Sequence, residues 1–132
     1  VLKEMKTSYF ARFDKLVRRG EDGIMAEQGI SIARSMPRGT TCIKQADVLT
    51  PSRDLLNRYK AQKISWGEYQ KEYEMIFAIS DPQEWYDYLC EKTEGFGEPI
   101  LLCWENTDKN PCHRILVANW FQKELGIIVK EL

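Results

Sequence analysis

Several absences set the first limits. No apolar run in this 132-residue chain approaches the roughly 20 residues that a membrane span requires, and no signal-peptide pattern opens it. Neither sign of charge is in surplus: nineteen Lys and Arg face twenty Asp and Glu, for a net charge of −1. That balance argues against a basic, histone-like coat and against an acidic disordered tail. Cysteine is sparse. Cys42, Cys90, Cys103 and Cys112 lack the density of a disulfide-stapled secreted module, and no C-x-x-C pair occurs, so the expectation is reduced thiols in a cytoplasmic protein. There is one histidine, and there is no Walker loop, dinucleotide fingerprint or G-x-S-x-G elbow.

What is present suits a folded domain. An apolar content of 43% supplies a core, and 30% charged residues suit a solvated surface. At this length the expectation is a single domain over 1–132, since two would each fall near the lower edge of independent stability. Period-two and period-3.6 segments alternate along it. Residues 7–13 and 30–35 read as strands, 16–29 as a loop, and 40–49 as an irregular connection. Helix starts are clearer. Thr50-Pro51 reads as N-cap and first-turn proline, and Ser65 with Glu68 as a capping box followed by a stripe of Tyr69, Tyr73, Ile76 and Phe77. Asp81-Pro82 repeats the start signal, with Trp85 and Leu89 facing inward. Residues 99–104 are continuously apolar, as in a strand covered on both faces. Asn110-Pro111 opens a last helix that Gly126 ends, and residues 127–129 supply a final strand. Strands separated by helices predict an α/β domain with a mainly parallel sheet of four strands or slightly more, flanked by helices.

Charge is segregated. Residues 31–63 hold seven Lys or Arg against two acids, and residues 64–98 hold two against nine, so the stretches are locally +5 and −7. They are either solvated faces paired with each other or, for the basic stretch, a surface for an anionic ligand or nucleic acid.

The densest set of reactive residues is Cys103-Trp104-Glu105-Asn106 followed by Pro111-Cys112-His113-Arg114. The first group ends the buried strand and the second opens the last helix, where free amides gather beside strand C-termini. Cys112, near the helix start, is the thiol whose pKa such amides would lower. His113 is the one ordinary candidate for proton transfer near neutral pH, better placed against Cys103 than against its neighbour Cys112. Arg114 opposes the helix dipole, so either an anion or an internal Glu105 ion pair must compensate it. Arg34 at the end of the 30–35 strand and Arg38 on a Pro-Arg-Gly turn add two guanidinium forks suited to phosphate or carboxylate. Cys103, Cys112 and His113 are also three soft metal ligands. The C-x8-C-H spacing matches no common structural zinc site, however, and no metal or cofactor is expected.

Four segments together resemble a known family: Ile30-Ser-Ile-Ala-Arg-Ser-Met-Pro-Arg-Gly39, Leu49-Thr-Pro-Ser52, Leu101-Leu-Cys-Trp-Glu105 and Cys112-His-Arg114. They are similar to the bacterial and archaeal family called domain of unknown function 488. The resemblance covers nearly the whole chain and implies a small intracellular α/β protein. Its recurrent motif residues fall on Arg34, Pro37, Arg38, Cys103, Glu105, Cys112, His113 and Arg114. The favoured reading is a pocket at the end of the 99–104 strand that takes an anionic, phosphate- or nucleotide-like small molecule through Arg34, Arg38, Glu105 and Arg114. The alternatives are a hydrolase or transferase using Cys103, Cys112 and His113 in the same pocket, or nucleic-acid association through residues 31–63. No membrane partner is expected.

Overall fold

The computed structural model describes residues 4–104 and 112–132. Its five strands are β1 (Glu4–Tyr9), β2 (Gly29–Ser31), β3 (Lys44–Gln45), β4 (Ile100–Cys103) and β5 (Ile128–Glu131), in the spatial order β3-β2-β4-β1-β5. Every pairing is parallel. The helices are α1 (Phe10–Arg19), α2 (Arg53–Lys60), α3 (Trp66–Tyr73), α4 (Met75–Ala78), α5 (Pro82–Lys92) and α6 (Arg114–Leu125). The expected parallel α/β architecture is therefore present, with five strands among the described residues. None of these helices is long and apolar enough to cross a membrane.

Strand order dictates which face each connection covers. The steps from β1 to β2 and from β2 to β3 run one way across the sheet, whereas those from β3 to β4 and from β4 to β5 run the other. With right-handed crossovers, opposite steps must lie on opposite faces. The contacts agree. Asp14 of α1 accepts bonds from Thr40 Oγ1 (3.0 Å), Thr41 N–H (2.8 Å) and Thr41 Oγ1 (2.6 Å), which pins the β2–β3 connection to α1. On the other face Phe77 stacks on Trp120 at 4.4 Å, and Tyr86 meets Phe121 edge-on at 6.4 Å. Between these layers all four residues of β4 are buried, the signature of a central parallel strand.

Several local expectations hold and several shift. Ser65 Oγ accepts the Glu68 N–H at 3.2 Å while Glu68 Oε1 accepts the Ser65 N–H at 3.1 Å, so the capping box is formed. Asp81 caps α5 with Pro82 in its first turn, and Gly126 ends α6 with φ 64°. The strand predicted over 7–13 instead ends at Tyr9, because Phe10, Phe13, Asp14 and Leu16 form one buried face of a helix. Over so few residues, alternation and helical spacing share the same apolar positions. The α2 cap is Ser52 rather than Thr50: its Oγ accepts the Leu55 N–H at 3.1 Å. Strand β2 stops at Ser31, and β3, two residues long, lies inside the stretch predicted as irregular. The predicted helix start at Asn110-Pro111 falls outside the described residues, and α6 is helical from Arg114. The oppositely charged segments do partly pair, since Arg58 of α2 grips Glu72 of α3 at 2.8 and 2.5 Å and Asp54 at 2.9 Å.

Candidate functional site

Strands β2 and β4 are parallel neighbours, with Ser31 opposite Leu102, so their carboxyl ends leave the sheet side by side. The chain after β2 is held there by Gln45, whose Nε2 donates to Ala33 O at 2.8 Å. The chain after β4 is tied to it by Trp104, whose Nε1–H donates to Ser35 O at 2.7 Å while its ring meets Phe10 edge-on at 5.7 Å. Between them opens a cavity of about 70 Å3, lined by residues that include Arg34, Lys60, Cys103, Trp104, Cys112 and His113. Its position outside the strand C-termini, beside the step where chain direction across the sheet reverses, is where open α/β sheets bind ligands.

The floor of this cavity is the best-defined chemistry in the molecule. Cys103 ends β4, Cys112 precedes α6, and His113 stands at the helix start. All three are buried, and their ligand atoms lie within 4.8 Å of one another. Contrary to the expectation of reduced thiols, Cys103 and Cys112 are joined as a disulfide, while Cys42 and Cys90 are free. A bonded sulfur does not titrate, so the lowered Cys112 pKa expected at the helix start does not apply to this form.

His113, expected to be better placed against Cys103 than against its neighbour Cys112, has its Nδ1 3.7 Å from Cys112 Sγ. Cys112 precedes the first helical turn, so helical spacing does not separate the two side chains. His113 Nε2 lies 2.6 Å from Ile32 O. A carbonyl only accepts, so Nε2 carries the hydrogen and Nδ1 presents its lone pair toward the sulfurs. Burial, opposed by the bond to Ile32 and reinforced by the Arg114 cation, holds the His113 pKa down at about 4. The ring is thus neutral near pH 7. In the reduced chain its Nδ1 can accept a hydrogen bond from the Cys112 thiol or join the two sulfurs around a soft metal ion.

The three arginines do not converge as expected. Arg34 lines the cavity, but Arg38 is not among its lining residues. The reason is topological. Parallel strands must start at the same edge of the sheet, so the chain leaving β2 has to run back alongside α1 before β3 begins. Arg38 lies on that return path, next to Gly39, whose carbonyl accepts from Arg18 Nη2 at 2.5 Å. Arg114 is only 1% exposed. Its Nη2 donates to Glu131 Oε2 at 2.7 Å, its Nε to both Glu131 oxygens at 3.1 and 3.2 Å, and its Nη1 to Cys103 Sγ at 3.0 Å. A carboxylate at the end of β5 therefore lies against the cation at the helix start, and that carboxylate also accepts from Thr7 Oγ1 at 2.6 Å. Glu105 lies outside the described residues. Lys60, Trp104 and Glu131 were not foreseen as site residues. The sequence carried a signal for Trp104, inside the Leu101–Glu105 motif, and for Lys60 only as one charge of the basic stretch 31–63.

A parallel α/β protein with its reactive side chains gathered at the carboxyl ends of two adjacent strands is the class these features define. The family model DUF488-N3a, described as the active DUF488-N3 subclade, matches residues 16–125, and the chain belongs to that family. No curated protein and no solved structure matches the chain.

Proposed function

We propose that the chain binds an anionic small molecule, phosphate-bearing or similar, over the ends of β2 and β4. The observation that carries this reading is the charge of the cavity wall: Arg34 and Lys60 line it, and no carboxylate does so among the described residues. Two cations at one mouth repel each other unless an anion lies between them, and a guanidinium offers a carboxylate or phosphate two parallel donors. The anion set is thus Arg34 with Lys60, in place of the Arg34, Arg38 and Arg114 expected from sequence. Arg114 already has the Glu131 carboxylate against it. The small volume suits one charged group, the rest of the guest lying along the exposed Trp104 side.

The test is a thermal-melt titration with inorganic phosphate, pyrophosphate and a nucleoside monophosphate. Binding raises the melting temperature with ligand concentration, and at each concentration the rise is smaller in Arg34→Ala and in Lys60→Ala than in the wild-type chain. No rise with any of these anions at millimolar concentration, or a rise in both variants as large as in the wild-type chain, would overturn the reading.

A further inference from the structure

The cavity floor carries an arrangement that anion binding does not use. We infer that in the reduced chain Cys103 Sγ, Cys112 Sγ and His113 Nδ1 hold a thiophilic divalent cation such as zinc, with the fourth position open to the cavity.

Four observations lead there. The three donor atoms come from the end of β4 and the approach to α6, and they converge within 4.8 Å in a buried site. Two sulfurs and an imidazole nitrogen are a soft donor set that selects zinc over magnesium or calcium. The separation of Cys112 Sγ from His113 Nδ1 is 3.7 Å, against roughly 3.5 Å along the S···N edge of a zinc tetrahedron built from ordinary bond lengths. The Cys103 and Cys112 Cα atoms are 7.3 Å apart, a span that leaves room for an ion between the two sulfurs once they are reduced.

The surroundings fit as well. His113 donates its single ring hydrogen, on Nε2, to Ile32 O at 2.6 Å, the outer bond that commonly fixes the tautomer of a ligating imidazole. Arg114 Nη1, 3.0 Å from Cys103 Sγ, supplies an outer hydrogen bond to one sulfur. Because all three residues line the cavity, the fourth position faces it. Three protein ligands and an open position make a site of the catalytic rather than the closed structural kind.

Metal and disulfide exclude each other. Two molecules of a monothiol reduce the bridge, become one disulfide themselves and leave two thiols on the chain. Binding the cation then releases the two thiol protons to solvent. This inference does not depend on the anion reading.

The experiment uses the whole chain, reduced, desalted without oxygen and titrated with Co2+. One equivalent should give a thiolate-to-cobalt charge-transfer band with the intense visible bands of a tetrahedral ion, and Zn2+ should abolish both. The oxidised chain should give neither. Cys103→Ser and Cys112→Ser should each lose about half of the charge-transfer band. A folded, reduced chain that shows only the pale spectrum of hydrated cobalt overturns the inference, as does a band that survives when both cysteines are replaced. Should the variants not fold, wild-type protein still decides. Zn2+ should slow alkylation of Cys103 and Cys112 at least tenfold, read peptide by peptide, and unchanged rates overturn the site. Phosphate melts on the same sample with chelator separate the two readings. Phosphate binding without cobalt binding removes the metal alone, and cobalt binding without phosphate binding removes the anion alone.

Discussion

The guanidinium of Arg114 meets the carboxylate of Glu131 at 2.7 Å, where the start of α6 passes the end of β5. The cation is buried and the anion is 41% exposed, so solvent screens part of the attraction. Removing the anion takes the Glu131 hydrogen bonds from a buried positive charge, which is the costly half of such a pair. Glu131→Gln is expected to lower stability by about 1–3 kcal/mol. Arg114→Lys should cost at least as much, since it also loses the fork and the donor to Cys103. Urea unfolding of both variants checks this, and a loss below about 0.5 kcal/mol in each would show the pair to be ornamental.

His113 makes stability depend on pH in a defined window. In the unfolded chain its imidazole titrates near 6.5, whereas in the fold burial holds it at about 4. Below 6.5 the unfolded state therefore takes up a proton that the native state refuses. The stabilisation is complete above that pH and drains away as pH falls toward 4, by up to about 3 kcal/mol. With chelator present, the urea midpoint should drop more between pH 7.5 and 4.5 in wild type than in His113→Gln. Equal drops would mean that carboxylates alone set the acid limit.

Gly29 opens β2 directly against α1. A Cβ built there lies 2.8 and 2.9 Å from two ring carbons of Phe13 and 3.1 Å from Leu102 Cδ1. The ring belongs to the buried face of α1, so little room exists for it to yield. Gly29→Ala is expected to destabilise by about 1–3 kcal/mol, as overpacked cores do. Pairing it with Phe13→Leu should recover part of the loss in thermal melts.

The anion site should discriminate among its cations. At a hundredfold excess over Kd, phosphate is expected to stabilise by about 2.7 kcal/mol, roughly a 10 °C rise in melting temperature for a chain of this size. Arg34→Ala and Lys60→Ala should each weaken binding about tenfold or more, equivalent to 1.4 kcal/mol or above. Arg38→Ala, away from the cavity, should stay within twofold of wild type. Calorimetric titration gives the three constants directly.

Features governed by residues within a few positions of one another were legible from the chain alone. The Ser65–Glu68 box, the Asp81-Pro82 start, the Gly126 stop and the doubly covered strand at 100–103 all follow from local hydrogen bonding or an unbroken apolar run. Alternation of strands and helices was enough to announce a parallel sheet, and the family motif marked Cys103, Cys112 and His113. Local signals failed where two rules fitted the same few residues, as at Phe10–Phe13, or where an element was as short as Lys44–Gln45. Strand order alone decided the rest. It set β2 beside β4, bringing Arg34 to the cavity while the return to β3 carried Arg38 away. It placed Glu131, seventeen residues on, against Arg114. Lys60 from α2 likewise reaches the cavity only when distant segments pack. Partners for a buried charge or sulfur are chosen by proximity in space, which no spacing within the chain encodes.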